Sequence, residues 1–227
     1  MAYDFDKIAR TYDRLNRVMT LGLDRRWRKR AAHEVVSGQW SEVCVLDVAC
    51  GTGDMAVSLA ERGCTVTGVD LSEEMLAIAK VKSERLKVKV EIADAENLPF
   101  EDESFDGVTC AFGVRNFVHL EQGLSEMLRV LKPGGRMVIL ELATPDSPLI
   151  RPFYNLYTKH IIPWLGSRIA GNREAYTYLP DSIARFPKGE AFLRIIRNLE
   201  FGIRNCRQRK LTFGVCRLYT INKEAAD

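Results

Sequence analysis

Short apolar runs alternate along the middle of the chain with stretches whose apolar side chains recur at helical spacing, the pattern of strands and helices in turn. Strands are expected over Val43–Val48, Thr65–Val69, Val88–Ala93, Gly107–Phe112 and Arg136–Leu142, and helices over Asp54–Arg62, Ser72–Lys82 and about Leu120–Leu131. Ser72, with Glu74 and Met75 behind it, reads as an N-cap with acid in the first turn. Leu131-Lys132-Pro133-Gly134-Gly135 reads as a sharp helix-to-strand turn. Such alternation builds an α/β fold, a mostly parallel sheet covered by helices on both faces. Ahead of it, Phe5, Ile8, Ala9 and Tyr12 recur at helical spacing, and the basic segment Asp24–Val36 predicts a second helix. Beyond it, residues 148–190 are rich in aromatics and proline and break the pattern. Ile203–Arg209 and Leu211–Ile221 then read as a strand hairpin that completes a seven-stranded sheet. The expected organisation is one domain: an N-terminal helical cap (1–41), a core (42–147), a helical lid insertion (148–190), and a C-terminal helix with the hairpin (191–227).

Charge, cysteine usage and apolar run length refine this picture. The 227 residues carry a net charge of +3, but residues 42–147 hold 10 basic and 19 acidic side chains, while the flanks hold 23 basic and 11 acidic. A basic periphery around an acidic core favours an anionic partner, a nucleic acid or a lipid head-group surface; solvated faces explain the same charges. Cysteines 44, 50, 64, 110, 206 and 216 show no C-x-x-C spacing and lie mostly in apolar runs, as reduced core thiols do, so neither a metal site nor a disulfide framework is expected. The opening Met1-Ala2-Tyr3-Asp4 has no charged and apolar leader regions, and no apolar run approaches the roughly 20 residues of a membrane span, so a cytoplasmic chain is expected.

The chemistry concentrates in Val45-Leu46-Asp47-Val48-Ala49-Cys50-Gly51-Thr52-Gly53-Asp54. A strand running into a glycine loop and a helix presents backbone N–H groups to a small polar ligand. The carboxylate at the end of the next strand, Asp70, is placed for a ribose diol. Gly51-x-Gly53-x-x-Ala56 also fits the loose dinucleotide fingerprint. Charge decides between the two, because Asp47 and Asp54 would repel a pyrophosphate but suit the ammonium and sulfonium of S-adenosylmethionine. Ala93-Asp94-Ala95, after the third strand, offers a side chain and a backbone N–H to an adenine edge.

Residues 42–142 resemble class I S-adenosylmethionine-dependent methyltransferases, whose sheet is Rossmann-like. A narrower resemblance, to the ubiquinone and menaquinone biosynthesis C-methyltransferase family, covers nearly the whole chain. It is carried by Phe5-Asp6-Lys7-Ile8-Ala9-x-x-Tyr12-Asp13-x-Leu15-Asn16, Gly22-Leu23-Asp24-Arg25-Arg26-Trp27-Arg28, Phe112-Gly113-Val114-Arg115-Asn116 and Tyr176-x-Tyr178-Leu179-x-x-Ser182-Ile183-x-x-Phe186-Pro187. The resemblance implies cofactor contacts at Thr52, Asp70, Asp94 and Ala95, with Asp47, Gly51 and Gly53 from the wider superfamily. Asp94 stands where the family often has Asn, and Ala111 where some members have a contacting Ser.

It further implies methyl transfer to a ring carbon of a reduced, prenylated naphthoquinone or benzoquinone. Ring carbon is a poor nucleophile until the adjacent hydroxyl ionises. A phenol pKa of about 10 puts the phenolate roughly 4 kcal/mol away at neutral pH. Arg115 is the candidate to stabilise it; it cannot be the base, so a water, His160, Tyr178 or Asp13 must take the proton. Asn116, Tyr157 and Tyr176 are expected against the substrate. Tyr154, Tyr157, Ile161, Ile162, Trp164 and Leu165 are expected to form lid core or the wall of an apolar channel for the tail. A substrate of this kind predicts peripheral membrane contact, and the sequence leaves a homodimer open. An exocyclic-amine nucleic-acid methyltransferase would need a Pro-Pro-aromatic turn where Ala111-Phe112-Gly113-Val114 stands, and a cytosine C5 enzyme a Pro-Cys that does not occur, so no nucleic-acid substrate is expected.

Overall fold

The computed structural model describes residues 5–38, 42–162 and 174–225. Seven strands form one sheet in the order β3-β2-β1-β4-β5-β7-β6. They are β1 (Cys44–Val48), β2 (Thr65–Asp70), β3 (Val88–Ile92), β4 (Phe105–Ala111), β5 (Leu131–Leu142), β6 (Ile203–Leu211) and β7 (Cys216–Lys223). The first five are parallel, and β7 enters antiparallel between β5 and β6. The chain reverses strand order between β1 and β4, and open α/β sheets bind ligands in the crevice at that point.

Alternation along each central strand shares the core between two faces. On β5, Met137 and Ile139 join Leu46, Val48, Val108 and Tyr219 under helices α5 (Leu120–Arg129) and α8 (Glu190–Arg197). Val138 and Leu140 join Val45, Val66 and Leu218 on the other face, under α2 (Leu23–Val36) and α3 (Asp54–Ala60). Burial on both faces is why these strands read as near-continuous apolar runs. The first helix, α1 (Ala9–Met19), is preceded by a 3-10 turn over Phe5–Ile8. It packs Leu15 and Met19 against Tyr157 and Ile162 of the lid, so the cap and the lid meet over the ends of the strands. In the lid, α6 (Arg151–Leu156) runs into a π-helical turn over Tyr157–Ile161, and α7 spans Glu174–Arg185. The expectations for Trp164, Leu165 and the side chain of Tyr176 lie outside the described residues.

The expected elements are all present among the described residues, with shifted ends. Ser72 caps α4 (Glu73–Lys82), its Oγ accepting from the Met75 N–H at 3.1 Å. The turn at 131–135 is a bulge inside β5: Phe105 pairs with Leu131 and Gly107 already with Arg136, so the excess loops out with Gly134 at φ +74°. β4 stops at Ala111 because Phe112 takes φ +65°, which no strand tolerates. The hairpin turns later than its sequence suggests, at Thr212–Gly214, where all three residues have positive φ. The Thr212 hydroxyl anchors that turn by accepting from Trp27 Nε1 at 2.9 Å.

Candidate active site

Two cavities open side by side above the C-terminal ends of the strands. The first, about 310 Å³, lies along the ends of β1, β2, β3 and β4 and is lined by Ala49, Gly51, Asp70, Asp94, Ala95, Ala111 and Asn116 among others. The second, about 360 Å³, is walled by Trp27, Leu142, Ile150, Tyr154, Tyr157, Leu179 and Ile183, with two buried charges, Arg115 and Asp24, the latter ion-paired with Arg28. Tyr12 and Phe112 line both, so they form the partition between a polar cleft and an apolar pocket.

The glycine loop builds the cleft by a run of left-handed residues: Ala49 at φ +52°, Gly51 at +54° and Gly53 at +82°. Gly51 sends its N–H to Asp70 Oδ2 at 2.8 Å, and Asp70 Oδ1 accepts from the Ser72 N–H at 3.0 Å. Each oxygen keeps a second lone pair for a ligand hydroxyl. Burial raises the Asp70 carboxyl above its usual range, against the pull of these backbone donors. Asp94 sits exposed at the far end, with Oδ1 accepting from the Glu96 N–H at 2.9 Å. Gly53 does not line the cleft: a Cβ there would meet Ala79 Cβ at 2.9 Å, so its role is close approach of the loop to α4.

Asp47 and Thr52 also stand apart from the main cleft, in a recess of about 20 Å³ beneath the loop that shares Tyr12, Ala49, Gly51 and Ala111 with it. Asp47 is fully buried; Thr109 donates to its Oδ1 at 2.7 Å, and its Oδ2 has no partner. Burial, offset in part by Thr109 and Arg28, pushes this carboxyl up to about 7. An orphaned buried carboxylate oxygen fits the ammonium end of S-adenosylmethionine, whereas Asp54, expected to share that role, is already paired with Lys82 and Arg28. Thr52 donates to Asp13 Oδ1 at 2.5 Å and accepts from Lys82 Nζ at 3.0 Å.

These contacts correct two expectations. Asp13 lines neither cavity; its carboxylate is bonded to Thr52 and ion-paired with Lys82, which also reaches Asp54 at 2.7 Å. It fastens α1 over the glycine loop and faces neither cavity. His160 is exposed on the π-helical turn and lines neither cavity, because the turn directs Tyr157 and Thr158 inward instead. Tyr157 lines the second cavity, and its hydroxyl donates to the Met19 carbonyl at 3.2 Å, tying the lid to α1. Asn116 lies on the cleft side, where its Oδ1 accepts from the Tyr178 hydroxyl at 2.8 Å.

Arg115 is placed by the left-handed turn at Phe112 and by Gly113, where a Cβ would stand 2.7 Å from both Ala49 Cβ and Cys110 Sγ. Its NH1 donates to the Phe112 carbonyl and to Glu141 Oε1, the latter at 2.7 Å, while its Nε is buried without a partner. Burial opposes the charge, and Glu141 with the nearby Tyr12 and Tyr178 outweighs it, so Arg115 is held above its usual range. Three members of this site escape sequence reasoning as site residues. Tyr12 and Phe112 carry no pattern beyond the segments they belong to, whereas Glu141 does leave a signal, a lone acid inside the apolar run Met137-Val138-Ile139-Leu140-Glu141-Leu142.

The model of the ubiE/COQ5 methyltransferase family matches residues 2–223. The chain is 45% identical to a demethylmenaquinone methyltransferase of Deinococcus radiodurans, over 96% of this chain and 90% of that protein. It is 44% identical to a ubiquinone/menaquinone biosynthesis C-methyltransferase, UbiE, of Geobacter sulfurreducens, over 96% and 86%. In structure it is similar to a SAM-dependent methyltransferase of Thermotoga maritima, with a TM-score of 0.63 at 21% identity over 97% of this chain and 100% of that one, a likeness of fold.

Proposed function

The chain belongs to the ubiE/COQ5 methyltransferase family, and from that premise we propose that it transfers a methyl group from S-adenosylmethionine to a ring carbon of a reduced, prenylated quinone, demethylmenaquinol ahead of a benzoquinol. The choice of nucleus rests on the names of its relatives. The observation that carries the chemistry is the buried Arg115, with an unpartnered Nε, lining an apolar pocket that meets an acid-rimmed cleft at Tyr12 and Phe112.

The cofactor supplies, when bound, an electrophilic methyl on a sulfonium. Asp70 would accept from the ribose hydroxyls, Asp94 and the Ala95 backbone would hold the adenine edge, and Asp47 would face the ammonium. Arg115 favours the ionised ring hydroxyl. A charge-assisted hydrogen bond contributes about 1.5–3 kcal/mol of the roughly 4 required, and alignment of the reacting atoms supplies the remaining acceleration. Of the three candidate side-chain acceptors, Tyr178 stays beside Arg115, as Tyr12 and Tyr154 also do, and its hydroxyl donates to Asn116. Water takes the proton in this scheme.

The substrate's long tail accounts for the mouth of the apolar pocket. Leu21 and Phe153 line it yet are 77% and 73% exposed, and Leu149 and Phe213, beside lining residues Ile150 and Thr212, are 79% and 77% exposed. Exposed Arg25 and Arg151 lie in the same segments. This rim suits an anionic bilayer surface into which the tail extends. No helix among the described residues is long and apolar enough to cross a membrane, so the contact is peripheral.

Arg115→Ala tests the reading. With a reduced demethylmenaquinone analogue, kcat should fall at least a hundredfold, about 2.7 kcal/mol, while S-adenosylhomocysteine binds as before. Turnover at the wild-type rate would remove Arg115 from the chemistry.

A further inference from the structure

Glu141, on β5, holds Arg115 at both ends: Oε1 accepts from its NH1 at 2.7 Å, and Oε2 from its backbone N–H at 3.4 Å. The carboxylate is itself fixed by the Leu142 N–H, at 2.8 Å from Oε1. Both side chains are buried, 5% exposed for Arg115 and 1% for Glu141. Glu141 does not line either main cavity, so it touches no place where substrate or cofactor would lie. A buried ion pair stabilises a fold little more than apolar side chains of the same volume would. The position of this acid is therefore explained by what it does to Arg115.

We propose that Glu141 is a positioning residue that holds the Arg115 guanidinium aimed into the apolar pocket and, by offsetting part of its charge, sets the pH range in which the ring hydroxyl ionises. The inference rests on the reading of Arg115 above. Two effects of opposite sign follow. Holding the planar fork fixes the guanidinium at the pocket wall, which promotes transfer. The carboxylate behind the guanidinium also repels the phenolate that the guanidinium attracts, which moves ionisation to higher pH.

The groups facing the pair from neighbouring elements are Tyr12 on α1, Tyr154 on α6, Tyr178 on α7, Cys110 on β4, and Cys216, Arg217 and Tyr219 on β7. Burial raises both thiols well above their usual range and pushes the phenols of Tyr154 and Tyr219 up to about 12, so these four stay neutral near neutral pH. Arg217 is engaged by Gln208 and Asp146.

The test compares turnover against pH for wild type, Glu141→Gln, Arg115→Ala and the double variant, with a reduced demethylmenaquinone analogue; S-adenosylhomocysteine affinity reports folding. Glutamine keeps the shape and one acceptor oxygen but not the charge. The rising limb of the Glu141→Gln profile should move to lower pH by about one unit. Its plateau kcat should fall several-fold as the fork loosens, with KM for S-adenosylmethionine unchanged. On the Arg115→Ala background Glu141, buried and without its cation, takes up a proton, so the same substitution should change neither midpoint nor residual rate. A Glu141→Gln profile that superimposes on the wild type, or an equal effect with and without Arg115, would overturn the proposal. Wild-type turnover in Arg115→Ala would instead sink the reading of Arg115 itself. If Arg115→Ala does not bind S-adenosylhomocysteine, Arg115→Gln takes its place in the cycle.

Discussion

Replacing Asp47 with asparagine should make the unliganded protein more stable and the cofactor bind more weakly. The Asp47 carboxylate is fully buried with one oxygen unpaired, and burial pushes its pKa up to about 7. The unfolded chain returns it to about 3.9. Roughly three units at 1.36 kcal/mol each make a cost of about 4 kcal/mol. The sign follows from proton counts. Between about pH 4 and 7 the folded chain keeps a proton that the unfolded chain has lost, so stability falls as pH rises through that window. Asparagine removes the charge, though its amide adds an unmet donor costing about 1–3 kcal/mol. Urea unfolding at pH 8 should show Asp47→Asn more stable than wild type, by 1 to about 3 kcal/mol as a rough balance, with the order reversed near pH 4. Calorimetry should show wild-type affinity for S-adenosylhomocysteine falling about tenfold per unit below pH 7, as protonation removes the ammonium's partner. The variant should bind about 1.5–3 kcal/mol more weakly at pH 8, with no such slope. A stability difference that does not change with pH, or a flat wild-type affinity, would refute this account of Asp47.

Asp70→Ala should weaken S-adenosylhomocysteine by about 1.5–3 kcal/mol through the lost ribose contact and the freed Gly51 N–H, with Asp70→Asn intermediate in a competition assay; an unchanged affinity would show that the ribose lies elsewhere. Flotation with anionic vesicles at low salt should carry the wild type upward, and salt or the pair Leu21→Ser and Phe153→Ser should release it. Wild-type protein left entirely in the soluble fraction would make the exposed rim an ordinary surface.

The core was legible because its strands are buried on both faces, which turns Val45–Val48 and Met137–Leu142 into apolar runs with few competing readings. Strand ends were less so. Phe112 and Thr212 leave their strands through positive φ, a conformation for which neither residue type is a signal. The glycine loop was readable in outline, but its inner division was not: Asp47 and Thr52 fall into a recess, and Gly53 serves packing against Ala79. The candidate bases fared worst. Asp13 is turned to Lys82 and Thr52, and His160 to solvent, because partners brought together from α1, the loop and α4 are set by tertiary packing that local spacing does not carry. Glu141 could have been found, since a charge inside an apolar strand demands a buried partner.

The central claim, that a ring carbon of a reduced prenylated quinone receives the methyl group, is tested most directly by the product. Incubating the protein with S-adenosylmethionine labelled with carbon-13 in its methyl and a reduced demethylmenaquinone analogue, followed by carbon NMR of the extracted quinone, distinguishes a methyl on carbon from one on oxygen. The account predicts an aryl carbon-bound methyl, formed only from the reduced substrate. An oxygen-bound methyl, or label that never leaves the cofactor, would contradict it.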